Sequence, residues 1–320
     1  MINNKKNNEP KNALNSPRFC NLGTFMRLPH FDLNSNLDFA IVGIPFDTAS
    51  SFRSGSRFGP SAIRKISALI KPNNVQLAVN VLENINGADY GDIDIVPGYI
   101  KPTYNNIQNE LVSIIEKDII PIIFGGDHSI SLPNLRAIAK EHGPVGLIHF
   151  DSHADINNEV FGEKHNHGTP FRRAFEEGLI KPENTIQVGM RGSLYDPDEH
   201  KFAREELGFQ LIPAHQVREM GFEELINKIK KRIGNEKVYL TFDIDFLDPA
   251  YAPGTGTPEI GGFTSFETIS IIRQLKELNI VGCDIVEVSP KYDPTEMTAY
   301  IAANIAFEII SILAYQKNNY

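Results

Sequence analysis

Short apolar runs alternate with longer amphipathic segments along most of this 320-residue chain. Apolar runs of about five residues bounded by turn signals predict buried strands, and apolar residues spaced three and four apart predict helices. Strands that alternate with helices predict a parallel sheet covered by helices on both faces. The predicted strands are Phe39–Ile44, Ile119–Phe124, Val145–Phe150, Thr185–Gly189, Phe209–Ile212, Val238–Phe242 and Val281–Val288, and the predicted helices are Ala62–Ile70, Tyr104–Lys117, Leu132–Glu141, Pro170–Glu177, Phe222–Ile233, Ser265–Leu278 and Thr298–Tyr315.

Three of the predicted strands end in acidic or histidine-bearing motifs. GGDHS at 125–129 follows one strand, DSHADIN at 151–157 follows a second, and FDID at 242–245 ends a third. In parallel α/β sheets, ligands bind outside the carboxyl ends of the strands. The sequence therefore predicts one site at this edge, with six candidate metal ligands: His128, Asp151, His153, Asp155, Asp243 and Asp245.

The spacing inside the second motif limits how these groups can bind an ion. A strand places Asp151, His153 and Asp155 on one face, but about 13 Å separates the ends of that span at roughly 3.3 Å per residue. Either the chain bends after the strand or two ions share the set. Two divalent cations would balance four carboxylates, which otherwise repel by roughly 4 kcal/mol per pair at about 4 Å and an effective dielectric near 20.

Composition excludes several other classes of protein. The net charge is −9 and the pI is about 5.5, which argues against a nucleic-acid partner. Cys20 and Cys283 are far apart, so neither a disulfide framework nor a thiolate zinc site is predicted. No apolar run is expected to reach the length of a membrane span, and the first twenty residues lack the apolar core of a signal peptide. We therefore expect a cytoplasmic protein without a membrane partner.

The domain organisation predicted from the sequence is simple. Residues 1–20 are polar and low in complexity, which predicts a flexible N-terminal segment. Residues 21–320 are predicted to form a single domain, because no linker-like change in composition divides them. The segment 21–31 mixes aromatic residues, Met and Arg, and we expect it to pack on the body of the protein or on a neighbouring subunit.

Together, GGDHS, DSHADIN and FDIDFLDPAYAPGTGTPEIGG resemble the three motifs of the ureohydrolases, the arginase and agmatinase family. The resemblance extends from about residue 21 to 313 and preserves the order of the motifs. It implies a three-layer α/β/α sandwich with a central, mainly parallel sheet. It also implies hydrolysis of a guanidino group to urea at a centre of two manganese ions per subunit.

The resemblance also implies a division of the ligands between the two ions. His128, Asp151, Asp155 and Asp243 would bind one ion; Asp151, His153, Asp243 and Asp245 would bind the other. The oxygen-rich donor set with one imidazole per ion suits Mn²⁺, although Ni²⁺, Co²⁺ or Zn²⁺ also fit it. A hydroxide formed between the ions would attack the guanidinium carbon, and Asp155 would hold it and pass its proton to the departing amine.

Further residues match the family's active site. Glu287 in DIVEVSP matches the glutamate that binds the guanidinium, and His167 in HNHGTP matches a histidine that shuttles protons or positions substrate. His165, two residues earlier, is predicted to be structural. Asn157 follows the arginase pattern, in which this residue contacts the amino-acid end of the substrate. The glycines and prolines at 254–262 predict a rigid turn at the pocket floor.

The identity of the substrate stays open at this stage. The motifs resemble those of agmatinases and guanidino-acid hydrolases more than arginases, so agmatine is the first candidate, giving putrescine and urea. The alternatives are 4-guanidinobutyrate or 3-guanidinopropionate, free guanidine with nickel, and an inactive metal-bound scaffold subunit. Arg172 and Arg173 start a helix, where they either meet an anionic substrate tail or a subunit, or are neutralised by Glu176 and Glu177. Relatives commonly form trimers or hexamers, which implies a homo-oligomer.

Overall fold

A computed structural model describes residues 17–18, 23–30 and 36–319. Its main feature is an eight-stranded sheet in the order β4-β1-β5-β10-β9-β6-β7-β8, and every neighbouring pair is parallel. A separate antiparallel pair joins β2 and β3. The strands are β1 (Phe39–Gly43), β2 (Asn73–Asn74), β3 (Val79–Asn80), β4 (Gly87–Asp92), β5 (Ile120–Phe124), β6 (Val145–Phe150), β7 (Ile180–Val188), β8 (Gln210–Ile212), β9 (Lys237–Asp243) and β10 (Asn279–Val286).

Helices cover both faces of this sheet, which confirms the predicted three-layer α/β/α fold with a parallel centre. Successive residues of β6 enter apolar clusters on opposite faces of the sheet. Ile148 packs in the cluster that includes α1 and α7 to α10, and Leu147 packs in the cluster that includes α3 to α6. This is the two-fold periodicity of a strand buried on both sides. The helices are α1 (Gly59–Ser67), α2 (Val81–Asn84), α3 (Ile100–Ile115), α4 (Ser131–His142), α5 (Pro170–Glu176), α6 (Glu199–Glu205), α7 (Ala214–Met220), α8 (Phe222–Ile233), α9 (Ser265–Arg273) and α10 (Met297–Asn319).

The four central strands bring their carboxyl ends to the same level. Phe124, Ile285, Phe242 and Phe150 are direct partners across β5, β10, β9 and β6. The chain therefore leaves all four strands along one line at the sheet edge. The residues that follow these four positions include all six candidate metal ligands and Glu287.

Some elements were not predicted from the pattern of apolar residues. The edge strand β4 has the sequence GADYGD, and the short helices α6 and α7 carry few apolar residues. β7 begins five residues before its predicted start, because its first half contains Lys, Pro, Glu and Asn. These elements form through contacts with their neighbours more than through their own apolar periodicity.

Helix α10 corrects one expectation about membrane-length segments. By length and composition it is long and apolar enough to cross a membrane, so the expectation that no apolar run reaches that length is wrong. Most of the helix is buried inside the protein, and Ile305, Ile309 and Ile312 are fully inaccessible to solvent. An all-round apolar helix of this kind is what the core of a large α/β domain requires.

The segment preceding β1 packs on the body of the protein where it is described. The backbone N–H of Phe25 donates to Asp89 Oδ2 over 2.7 Å, and the Phe25 ring is buried against Phe124 at 5.1 Å between centroids. This is one of the two locations expected for the aromatic N-terminal segment. The predicted flexible segment 1–20 lies outside the described residues except for Pro17 and Arg18.

Candidate metal centre

The six predicted ligands converge at the sheet edge. Nδ1 of His128 lies 3.0 Å from Asp151 Oδ2, 2.9 Å from Asp155 Oδ2 and 3.4 Å from Asp243 Oδ2. The chain bends after β6, where Asp155 has a left-handed φ of 53°, so Asp151 and Asp155 approach the same imidazole. Because of this bend, Asp151 and Asp155 are not separated by the roughly 13 Å expected for an extended strand.

A second group lies on the other side of Asp151. Nδ1 of His153 is 3.2 Å from Asp245 Oδ2 and 3.5 Å from Asp151 Oδ1. Asp151, His153 and Asp245 form one set of possible ligands, and Asp151 also belongs to the set around His128. The shared carboxylate is the arrangement that two neighbouring ions would need.

Hydrogen bonds assign the tautomer of His128. Asp284 is buried and accepts hydrogen bonds from Tyr239, Ser131 and Asn134, and Thr241 Oγ1 donates its only proton to Asp284 Oδ1 over 2.5 Å. His128 Nε2, 2.8 Å from Thr241 Oγ1, must therefore be the donor to this hydroxyl. The remaining nitrogen of His128, Nδ1, carries a lone pair and faces the carboxylates.

This arrangement is electrostatically unfavourable without cations. Among the described residues, His128 Nδ1 has no hydrogen-bond partner, although three carboxylate oxygens lie within 3.4 Å. Burial, then the charges of Asp245 and Asp151, raise the pKa of Asp243 well above its ordinary value. Burial lowers the pKa of His128, but the adjacent carboxylates of Asp151, Asp155 and Asp243 raise it well above its ordinary value. A proton is attracted to the place that a divalent cation would fill, so the donor set fits bound metal.

Glu287 and His167 form a second pair of groups beside the carboxylate cluster. Glu287 follows β10, is 2% exposed and has a left-handed φ of 63°. Its Oε1 accepts the backbone N–H of His128 over 2.9 Å and lies 3.1 Å from His167 Nδ1. Positive φ at a non-glycine residue is costly and persists only where the surrounding structure holds the residue in place; six other described residues outside the site also have it. Asp155 and Glu287 both have this feature.

The environment of His167 favours its charged form. Burial alone lowers the pKa of His167, but the hydrogen bond to Glu287 and the charges of Glu287, Asp155 and Asp127 raise it to about 9. On its other side, Nε2 lies 3.1 Å from the Ser51 backbone N–H and 2.8 Å from the Ser51 hydroxyl. Since Ser51 supplies both a donor and an acceptor, His167 has a partner in either protonation state.

Three further polar groups at the site were missed in the sequence. Asp127 is buried beside Glu287; burial, then the charge of Glu287, raise its pKa to about 7. His149 lies 2.8 Å from Asp151 Oδ2. Glu199, at the start of α6, has a pKa raised by burial and then by the charge of Asp155. Only His149 had a usable signal, since it stands two residues before Asp151 on the same strand face.

The remaining candidates behave differently from one another. Asn157 is exposed, and its backbone N–H donates to Gly168 O over 3.0 Å. The ring of His165 lies 5.6 Å from that of Tyr104 at a steep angle, and its structural role stays a prediction. Arg172 and Arg173 both pair with Glu176, which favours the interpretation that neighbouring acids neutralise them. Glu177 instead pairs with Arg136 on α4.

Glycines allow the loops around the site to approach one another closely. A Cβ at Gly126, in GGDHS, would lie 1.8 Å from the Phe46 carbonyl oxygen. A Cβ at Gly256 would lie 3.1 Å from the Arg53 carbonyl oxygen and 3.5 Å from Glu287 Oε2. The 254–262 turn therefore runs beside Glu287 with its backbone, as expected for part of the pocket floor.

Comparison with known proteins gives consistent matches over nearly the whole chain. The model of the arginase family matches residues 37–311. The chain is 43% identical to a guanidinobutyrase of Pseudomonas aeruginosa over 312 residues, covering 97% of this chain and 98% of the relative. It is 41% identical to a mitochondrial agmatinase of Gallus gallus over 306 residues, covering 96% and 90%. The structure of proclavaminate amidino hydrolase from Streptomyces clavuligerus superimposes with a TM-score of 0.90 at 38% identity, covering 94% and 99%.

Proposed function

The chain belongs to the arginase family and is a guanidino hydrolase, and from this premise we propose that it cleaves agmatine to putrescine and urea. The observation that carries the chemistry is His128 Nδ1, whose lone pair faces three carboxylates in a buried pocket. Such a group of donors is stable only around positive charge.

Two divalent cations fit this donor set. His128, Asp151, Asp155 and Asp243 would hold one ion, and Asp151, His153, Asp243 and Asp245 would hold the other. Carboxylates with a single imidazole per ion suit Mn²⁺, and Ni²⁺, Co²⁺ or Zn²⁺ are alternatives. When bound, such an ion pair supplies the Lewis acidity that lowers the pKa of water enough for nucleophilic attack near neutral pH.

The protein's own side chains would bind the substrate and transfer protons. Glu287, a carboxylate outside the proposed ligand set, would bind the guanidinium by charge-assisted hydrogen bonds and hold its carbon toward the attacking water. Asp155 would accept a hydrogen bond from that water and pass its proton to the departing amine. His167, fixed between Glu287 and Ser51, would supply or accept a proton at the mouth of the site.

The choice of agmatine depends on the far end of the substrate. Agmatine ends in an ammonium group, whereas guanidino acids end in a carboxylate. Glu199, at the start of α6, lies near enough to Asp155 and His153 for their charges to act on its pKa, so it would bring a negative charge toward the site. A negative group there attracts an ammonium end and repels a carboxylate end.

A guanidino acid is the second candidate. The relative that is 43% identical over 312 residues is a guanidinobutyrase, and this observation favours 4-guanidinobutyrate. Protonation of Glu199 would reduce its repulsion of a carboxylate, since burial and Asp155 raise its pKa.

The test is urea release from agmatine, 4-guanidinobutyrate, 3-guanidinopropionate, arginine and guanidine, each with Mn²⁺ and with Ni²⁺. The proposal expects the highest kcat/KM with agmatine and Mn²⁺. Faster cleavage of 4-guanidinobutyrate would replace agmatine with the second candidate. Absence of urea from all five compounds in a protein that binds two ions would leave the inactive scaffold.

A further inference from the structure

His149 is a buried imidazole at the metal centre that is absent from the predicted ligand set. It is fully inaccessible to solvent, and its Nε2 lies 2.8 Å from Asp151 Oδ2. Its ligand nitrogen is also close enough to His128, Asp151 and Asp155 to join them around one ion. Two roles are therefore compatible with its position: a third imidazole ligand, or a hydrogen-bond donor to Asp151. They differ in whether Nε2 carries a lone pair or a proton.

Gln187 on β7 decides between these roles. Its Nε2 donates to the Ala154 carbonyl oxygen over 2.7 Å and lies 3.0 Å from His149 Nδ1. A rotated amide would place Oε1 against the Ala154 carbonyl oxygen, where two acceptors repel. The amide nitrogen must therefore face both partners, and its second proton points at His149 Nδ1.

The proton on the imidazole follows from this arrangement. Since Nδ1 accepts from Gln187, the ring proton of a neutral His149 is on Nε2, where it points at Asp151 Oδ2. Both nitrogens are then engaged with protein groups, and no lone pair remains for an ion. The ring also packs on Phe171, with 4.2 Å between ring centroids, so it cannot easily turn.

We propose that His149 and Gln187 are a positioning pair that aims the Asp151 carboxylate at both proposed ion sites, and that His149 itself is not a ligand. The inference rests on the proposed metal centre. Within the part of the chain that the structure describes, Asp151 belongs to both groups of possible ligands, and with Asp243 it is one of the two carboxylates proposed to serve both ions. A donor fixed on its Oδ2 limits rotation of the carboxylate and so affects both ions together. Loss of such outer partners typically weakens metal affinity by about 10–100-fold.

The experiment compares four variants of the full chain for metal content at saturation, metal affinity by chelator competition, and kcat and KM. His149→Phe removes the donor and keeps a ring beside Phe171, whereas His149→Gln keeps an amide N–H within reach of Asp151. Gln187→Met leaves His149 in place but removes the group that assigns its tautomer. The control is Thr185→Val, a fully buried residue two positions earlier on β7 whose hydroxyl donates to Lys181 O.

We expect His149→Phe to bind two ions at saturation with about 10–100-fold weaker affinity. His149→Gln should recover most of that loss, Gln187→Met should show part of it, and Thr185→Val should match the wild type. A His149→Phe protein that holds one ion fewer at saturating metal would make His149 a ligand, and wild-type affinity in both His149→Phe and Gln187→Met would remove the positioning role. If His149→Phe does not fold, as judged by circular dichroism, the Gln187→Met result decides. Failure of the proposed function is distinct, because it would appear in the wild type as absent metal or absent urea release.

Discussion

Replacement of Glu287 by Gln tests the assignment of the guanidinium-binding group. The change is almost isosteric. In the wild type, the His128 backbone N–H and His167 Nδ1 both contact Glu287 Oε1, and the amide oxygen of Gln can still accept both hydrogen bonds. What is lost is the negative charge. Hydrogen bonds to charged groups contribute about 1.5–3 kcal/mol, so KM for the guanidino substrate should rise by roughly tenfold to a hundredfold. Both ions should remain bound, because Glu287 is outside the proposed ligand set.

The same variant should change the titration of His167. The difference between its pKa of about 9 and the ordinary 6.5 corresponds to roughly 3 kcal/mol of preference for the charged imidazole. Burial opposes that preference and Glu287 is the main group that supports it. In metal-free Glu287→Gln protein, the pKa of His167 should therefore fall from about 9 toward its ordinary value, with Asp155 and Asp127 still raising it.

The sign of the effect on stability follows from the raised pKa. The charged His167 stabilises the folded protein fully below pH 6.5, and this contribution is lost as the pH rises through about 9. The difference in free energy of unfolding between the wild type and Glu287→Gln should therefore be largest below pH 6.5 and should shrink toward pH 9. Histidine NMR titrations of metal-free protein, with denaturant unfolding at several pH values, measure both effects.

Glu110→Gln is a suitable control, because Glu110 accepts a hydrogen bond from Tyr90 and is not among the charged groups that act on His167. An unchanged His167 pKa in Glu287→Gln would refute the role assigned to the pair. Loss of metal from Glu287→Gln would show instead that Glu287 is a ligand.

Three other substitutions test the rest of the site. Asp151→Ala should abolish urea release and remove most bound metal, because this carboxylate serves both groups of ligands; metal analysis that finds two ions would disprove the shared position. Thr241→Val removes the hydroxyl between His128 and Asp284. Metal binding measured by chelator competition should then be about 10–100-fold weaker. Unchanged affinity would mean that the tautomer of His128 does not depend on Thr241. Glu199→Gln should lower kcat/KM for agmatine by about tenfold, the loss of one charge-assisted hydrogen bond, and should raise kcat/KM for 4-guanidinobutyrate, because the repulsion of its carboxylate is removed. An equal loss for both substrates would deny Glu199 a role in selecting the charge of the substrate's far end.

The apolar pattern was sufficient for the central strands because they are buried on both faces. A strand in that position is apolar over most of its length, so its existence is visible in the sequence, although β10 begins and ends two residues before its predicted bounds. β4 at the sheet edge carries no such pattern, because its buried half consists of Gly87, Ala88 and Asp89, and the polar first half of β7 is mostly partly exposed. Their pairing with neighbouring strands fixes them, and no local stretch of sequence contains that information.

The sequence by itself determined which groups can bind metal and that they follow strand ends, because ligand type and strand periodicity are local properties. The tertiary structure decided how these groups are used. The tautomer of His128 depends on Thr241 and Asp284, more than a hundred residues away, and the tautomer of His149 depends on Gln187 and Ala154. A hydrogen-bond network is fixed only when all its members are in place, so the orientation of the ligands is a property of the folded chain.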